Sequence, residues 1–239
     1  MSLKKHIPNA ITSLNLLCGV IGIWFTLAQN DCTTGFYFML LAVVFDYADG
    51  LAARLLGAYS EIGKELDSLS DMVSFGVLPA LMMGCTYLTV PSHLNALAWM
   101  PLLIAAFSAF RLARFNLDER QHSSFIGLTT PAAAILCASL CCLIGEGCIG
   151  GLFLSVWFVP VFSVLICALL VCPVPMFAFK FGKDIEADAV TKMKRYALVS
   201  IGIIVLVLVV LFRMPWQAYI FGVFSIYVLA NLVFAAFKI

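Results

Sequence analysis

Residues 46–71 read DYADGLAARLLGAYSEIGKELDSLSD. Asp46, Asp49, Asp67 and Asp71 stand there with Arg54, Gly50 and Gly63, inside a chain that is otherwise almost wholly apolar. A carboxylate at the centre of a membrane helix costs about 2.5–3.5 kcal/mol on insertion scales, so four on neighbouring turns call for compensation. Helical spacing organises them. Asp46, Asp49, Gly50, Ala53 and Arg54 fall at i, i+3, i+4, i+7 and i+8, on one face of a helix. Gly63, Asp67 and Asp71 fall at i, i+4 and i+8, and Ser74 extends that face. A short turn joins the two helices, so they are expected to be antiparallel neighbours whose polar faces converge on one pocket.

The rest of the chain sets this stretch in a membrane. Of 239 residues 63% are hydrophobic and 11% charged, with a mean hydropathy of +1.06. Soluble domains carry about 25% charged residues, so a soluble globular protein is excluded. A span takes about 20 apolar residues. That rule gives eight, at 11–29, 34–57, 67–89, 94–115, 127–145, 150–172, 195–213 and 216–237. The fold class expected is an all-α integral membrane bundle of about eight helices, forming one domain over 1–239, with the first span retained rather than cleaved. With the N-terminus inside, Lys4, Lys5, Arg54, Lys64, Arg111, Arg114, Arg120, Lys180, Lys183, Lys192, Lys194, Arg195 and Lys238 fall on the inner side, and Arg213 alone falls outside. The positive-inside rule then puts both termini and the aspartate cluster at the cytoplasmic face. Seven of the nine cysteines lie in apolar segments and read as buried small hydrophobes. Cys32 and Cys148 fall in short loops, where a disulfide is conceivable but has no other support.

Four hard oxygen donors suit Mg²⁺, Mn²⁺ or Ca²⁺ better than zinc, and two divalent ions would cancel the four negative charges. Gly50 and Gly63 lie on the acid-bearing faces, where a side chain would fill the pocket. Arg54 faces the same pocket, either as an ion-pair partner of an aspartate or as a phosphate contact.

The pattern D-x2-D-G-x2-A-R-x8-G-x3-D-x3-D, running Asp46, Asp49, Gly50, Ala53, Arg54, Gly63, Asp67, Asp71, resembles the motif of the CDP-alcohol phosphatidyltransferases at every fixed position. The resemblance implies transfer of a phosphatidyl or related group from a CDP-linked lipid to an alcohol, with CMP leaving. It implies two divalent metals on Asp46, Asp49, Asp67 and Asp71, with Asp71 also the base, and CDP-lipid binding around Gly50, Ala53, Arg54 and Gly63. A homodimer in a bacterial or archaeal plasma membrane is expected, and no nucleic-acid partner. Flanking stretches DSLSDMVSFGVLPA (67–80), FRLARFN (110–116), FIGLTTPAAA (125–134) and IPNAITSLNLLCG (7–19) are similar to the branch that takes serine, which makes CDP-diacylglycerol and L-serine the expected substrates. Thr130 departs from that likeness, standing where a more apolar residue is expected before Pro131.

Several further residues have two readings each. Thr12 and Asn15 either hydrogen-bond the nucleotide or pack the first helix. Arg111 and Arg114, with Asn116 and Ser74, either bind the acceptor carboxylate or a phosphate, or, for the arginines, anchor the helix end. Lys180 either meets anionic headgroups or reaches phosphate in the site. Other acceptors, such as glycerol phosphate, an inositol phosphate or choline, fit the same motif. A cation transporter is the reading from another class, but it would place acids at mid-depth on several spans, and the other six carry none there.

Overall fold

The computed structural model describes residues 6–90, 94–117, 125–149, 155–176 and 202–237. Backbone in lipid finds no water, so apolar runs close their own hydrogen bonds as helices. The helices are α1 (His6–Ala28), α2 (Cys32–Leu56), α3 (Glu61–Asp71), α4 (Leu78–Leu88), α5 (Leu103–Leu117), α6 (Thr130–Gly145), α7 (Phe158–Val171), α8 (Gly202–Leu211) and α9 (Trp216–Phe237). A π-helical turn, Met72–Val77, joins α3 to α4 without a break, and a 3-10 stretch, Asn95–Leu102, leads into α5. Among the described residues five helical segments are long and apolar enough to cross a membrane: His6–Ala28, Cys32–Leu56, Glu61–Leu88, Asn95–Leu117 and Trp216–Phe234. Three shorter apolar helices, α6, α7 and α8, occupy the other positions where spans are expected. The protein is an all-α membrane bundle, apart from one antiparallel pair in which Phe125 faces Met176 and Ile126 faces Pro175.

Capping explains the hairpin that carries the acids. Gly57, at φ 58°, ends α2 in the left-handed conformation, which glycine adopts without a Cβ penalty. Three residues later Ser60 starts α3, its Oγ accepting from the Gly63 N–H at 3.0 Å. The third span therefore begins at Glu61 rather than at 67. Glu61, Lys64 and Glu65 hide this first part from a hydropathy count although it is fully helical. On the opposite turn Asp31 caps α2, accepting from Thr34 N–H at 2.9 Å. The Thr34 side chain and backbone hold its carboxyl below the usual aspartate value.

Small residues allow close helix approach. A Cβ on Gly19 would meet Ser74 Oγ and, at 2.9 Å, Ser74 Cα, so α1 rests directly on the π turn. A Cβ on Gly22 would stand 3.2 Å from the Gly35 carbonyl, which brings α1 against α2. The centre is α6, buried from Ala132 through Ile144 among α2, α4 and α9. Its alanines and cysteines are small enough for neighbours on every side, as a helix apolar all round must be. Phe36, Met39, Phe75, Leu78, Met82 and Leu140 fill the core around it. Bonds from Gly127 N–H to Val174 O (2.8 Å) and Leu128 N–H to Leu169 O (2.9 Å) tie the start of α6 to the end of α7 and fix Thr130. All nine cysteines are free thiols, Cys32 and Cys148 included.

Candidate active site

The polar faces of α2 and α3 meet. Carboxylate oxygens of Asp46, Asp49 and Asp67 lie within 4.8 Å of one another, a group that could hold a metal ion. Asp49 Oδ2 and Asp67 Oδ1 are buried and have no hydrogen-bond partner. A buried polar atom without a partner costs about 1–3 kcal/mol, more when charged, so these oxygens call for a cation. The donors are all oxygen, which fits Mg²⁺, Mn²⁺ or Ca²⁺.

Asp71 sits one turn deeper and is 9% exposed. Its Oδ1 accepts from Asn15 Nδ2 at 3.2 Å. The Ser74 hydroxyl donates to the Asn15 carbonyl at 3.0 Å. Asn15 thus stitches α1 to the helix bearing Asp71, and its own Oδ1 is left buried without a partner. Ser74 is wholly buried in the contact with α1.

A cavity of about 220 Å³ opens beside the acids, between the start of α1, α2, the 57–60 turn and α3. Thr12, Asp49, Gly50, Ala53, Gly63 and Asp67 line it, so four of the six residues expected at the CDP-lipid come together. The two glycines have different reasons. A Cβ on Gly50 would meet nothing within 4 Å and would project into open space, whereas one on Gly63 would meet Ser60 Oγ at 2.9 Å and Asn9 Oδ1 at 3.0 Å. Asn15 and Arg54 are not among the lining residues. Arg54 is exposed, and its Nε donates to the Gly50 carbonyl of its own helix at 3.1 Å.

The arginines of α5 part company. Arg114 is exposed. Arg111 is 8% exposed; its Nη1 donates to Thr130 Oγ1 at 3.0 Å, while its Nε is buried without a partner. Asn116 Nδ2 donates to Ser68 Oγ at 2.8 Å, which straps the end of α5 to α3. Lys180 lies outside the described residues.

Three residues at the site carry no signal in the sequence that marks them for it. Thr130, noted only as an odd neighbour of Pro131, holds Arg111. Ser108, one turn before Arg111, is fully buried with an unpartnered Oγ; no spacing rule marks it. Lys64 lines the cavity and donates from Nζ to the Asn116 carbonyl at 3.2 Å, but in sequence it reads as an ordinary membrane-edge positive charge.

Fold and site together define an integral membrane protein with a carboxylate cluster beside a small cavity. The family model of the CDP-alcohol phosphatidyltransferases matches residues 5–162. The chain belongs to that family and is a membrane transferase of phospholipid biosynthesis. It is similar to proteins named CDP-diacylglycerol–serine O-phosphatidyltransferase in several organisms, among them Bacillus subtilis, Methanocaldococcus jannaschii and Mycobacterium tuberculosis. The Bacillus subtilis protein is 32% identical over 131 residues, 55% of this chain and 72% of the relative. The Methanocaldococcus jannaschii protein is 36% identical over 140 residues, 59% and 62%. The Mycobacterium tuberculosis H37Rv protein is 36% identical over 162 residues, 63% and 55%. The chain thus spans under two thirds of the archaeal and mycobacterial relatives' length.

Proposed function

We propose that this chain transfers the phosphatidyl group of CDP-diacylglycerol to the hydroxyl of L-serine, giving phosphatidylserine and CMP. The observation that carries the acceptor assignment is Arg111, a buried cation with an unpartnered Nε. A zwitterionic amino acid needs a cation for its carboxylate and an acceptor for its ammonium. Arg111 Nε offers the first and Asn15 Oδ1, also unpartnered, the second.

In this reading Asp71 takes the proton of the serine hydroxyl as general base. The serine oxygen forms a new bond to the phosphorus that bears diacylglycerol. The bond from that phosphorus to the CMP oxygen breaks, and its electron pair leaves with CMP. Asn15 holds the Asp71 carboxylate in place through Oδ1, leaving the other oxygen for the proton. Thr12, Gly50, Ala53 and Gly63 cradle the nucleotide end, with Gly50 leaving room for it. Two divalent cations, Mg²⁺ or Mn²⁺ with Ca²⁺ as a third candidate, held by Asp46, Asp49 and Asp67, would supply charge neutralisation at the diphosphate, with Asp71 kept for the proton. The positive-inside count supports a site at the cytoplasmic face, open to soluble serine, in a single membrane domain with both termini cytoplasmic. The homodimer belongs to this proposal on family resemblance.

Purified protein with CDP-diacylglycerol, Mn²⁺ and labelled serine tests the reading: CMP and labelled lipid should rise in equal amounts. A panel of glycerol phosphate, inositol phosphate and choline runs alongside. Product with one of these and none with serine would retain the chemistry and reject the acceptor.

A further inference from the structure

A basic residue that the family motif does not include lines the cavity beside the acids. Lys64, one residue after Gly63 and three before Asp67, is the one basic residue among the described residues lining it. Arg54, the motif cation, is exposed and turned back on the Gly50 carbonyl. Lys64 Nζ is held at 3.2 Å by a neutral group, the Asn116 carbonyl at the end of α5. A helix C-terminus attracts cations, so this is a resting place for an ammonium. It is also a partner that can be exchanged. Bonds from an ammonium to a phosphate oxygen are shorter and roughly twice as strong as those between neutral groups. The lysine stem is flexible. Moving it does not unfasten α5, because the Asn116 side chain is separately bonded to Ser68 Oγ at 2.8 Å.

We infer that Lys64 binds the diphosphate of the nucleotide-linked substrate, exchanging the Asn116 carbonyl for a phosphate oxygen when the cavity fills. Charge supports this. Asp49 and Asp67 line the same cavity as Lys64, and once cations offset these acids a diphosphate entering it would still bring negative charge of its own. The inference rests on the reading of the substrate as a CDP-lipid.

The test uses the full-length protein in detergent with Mn²⁺ and three soluble probes: cytidine, CMP and CDP. Losing one charge-assisted bond should weaken CDP binding about tenfold in Lys64→Met, while cytidine changes by less than about twofold. CMP should fall between them. Lys64→Arg should keep CDP binding within about threefold, since a cation remains. Lys64 is exposed, so the variants should keep the wild-type melting temperature. Lys64→Gln provides the same reading should Lys64→Met prove unstable. Equal losses for all three probes, an unchanged CDP affinity, or a raised KM for the acceptor alone would each overturn the assignment. Wild-type protein that binds none of the nucleotides would instead reject the CDP-lipid reading itself.

Discussion

Asp71→Asn separates the chemistry from the architecture at a single atom. The replacement keeps the shape of the side chain. Its Oδ1 can still accept from Asn15 Nδ2, which now stands 3.2 Å from the carboxylate. What changes is a charged acceptor for a neutral one at a residue 9% exposed, so the cost to the fold should stay near 1 kcal/mol. The nucleotide cavity is lined by Asp49 and Asp67, not Asp71, so CDP should bind nearly as before. Turnover should not survive. A positioned general base contributes about 10²–10⁴ in rate, which is roughly 2.7–5.5 kcal/mol of barrier at about 1.36 kcal/mol per decade. The assay is CMP release in mixed micelles of CDP-diacylglycerol with saturating serine and Mn²⁺. Nucleotide binding and thermal unfolding of the same preparation serve as controls. Turnover within about tenfold of wild type, with an unchanged melt, would remove Asp71 as the base and refute the reasoning.

Two glycine substitutions should behave oppositely. Gly19→Ala should lower stability by about 1–3 kcal/mol in a detergent melt, because its Cβ meets Ser74 backbone at 2.9 Å. Gly50→Ala meets nothing within 4 Å, so it should melt no lower than wild type, with a gain of up to about 1 kcal/mol, yet bind CDP more weakly. Chelation should abolish CMP release and Mn²⁺ should restore it, whereas Asp67→Asn should need more Mn²⁺ for half-maximal activity; full activity after chelation would reject the metal. Thr130→Val should raise the KM for serine more than it lowers kcat, since it takes the partner at 3.0 Å from Arg111. Asp31→Ala should cost about 1 kcal/mol as a lost helix cap. Because the Asp31 carboxyl lies below its ordinary value, its stabilisation is present above about pH 4 and fades as pH falls through its lower folded value. Wild type and variant should therefore converge in acid unfolding experiments.

What the sequence made legible was whatever repeats with helical period or depends on total hydrophobicity. The Asp46–Arg54 and Gly63–Asp71 stripes converge because spacing on a helix is fixed by geometry alone, and the expected spans coincide with apolar helices for the same reason. Less visible were contacts between residues far apart in the chain. Asn15 reaches Asp71, Arg111 reaches Thr130 and Lys64 reaches the Asn116 carbonyl. None of these pairs has a local signature. Arg54 shows the converse. Its helical position was read correctly, but a long side chain has several directions open to it, and this one folds back along its own helix. Helical spacing already carries α3 back to Gly63, but hydropathy starts the span at 67 because Glu61 and Lys64 lower it without opposing a helix, and Ser60 caps α3 ahead of the apolar run.

The π turn at Met72–Val77 gives this hairpin an unusual sensitivity to length. Its i→i+5 pattern accommodates a residue that a regular helix would not. On one side, α3 presents Asp67 and Asp71 to the site. On the other, Leu78 meets α1 at Gly22. One residue turns an α-helix by roughly 100°. Deleting a single residue between 72 and 77 could heal the backbone into an uninterrupted α-helix and leave hydropathy almost unchanged. The two halves would then be out of phase, with either the acids or the α1 seam facing the wrong way. The extra residue acts as a phase adjuster between two rigid rods. For this protein, a one-residue gap here should do more harm than most substitutions around it.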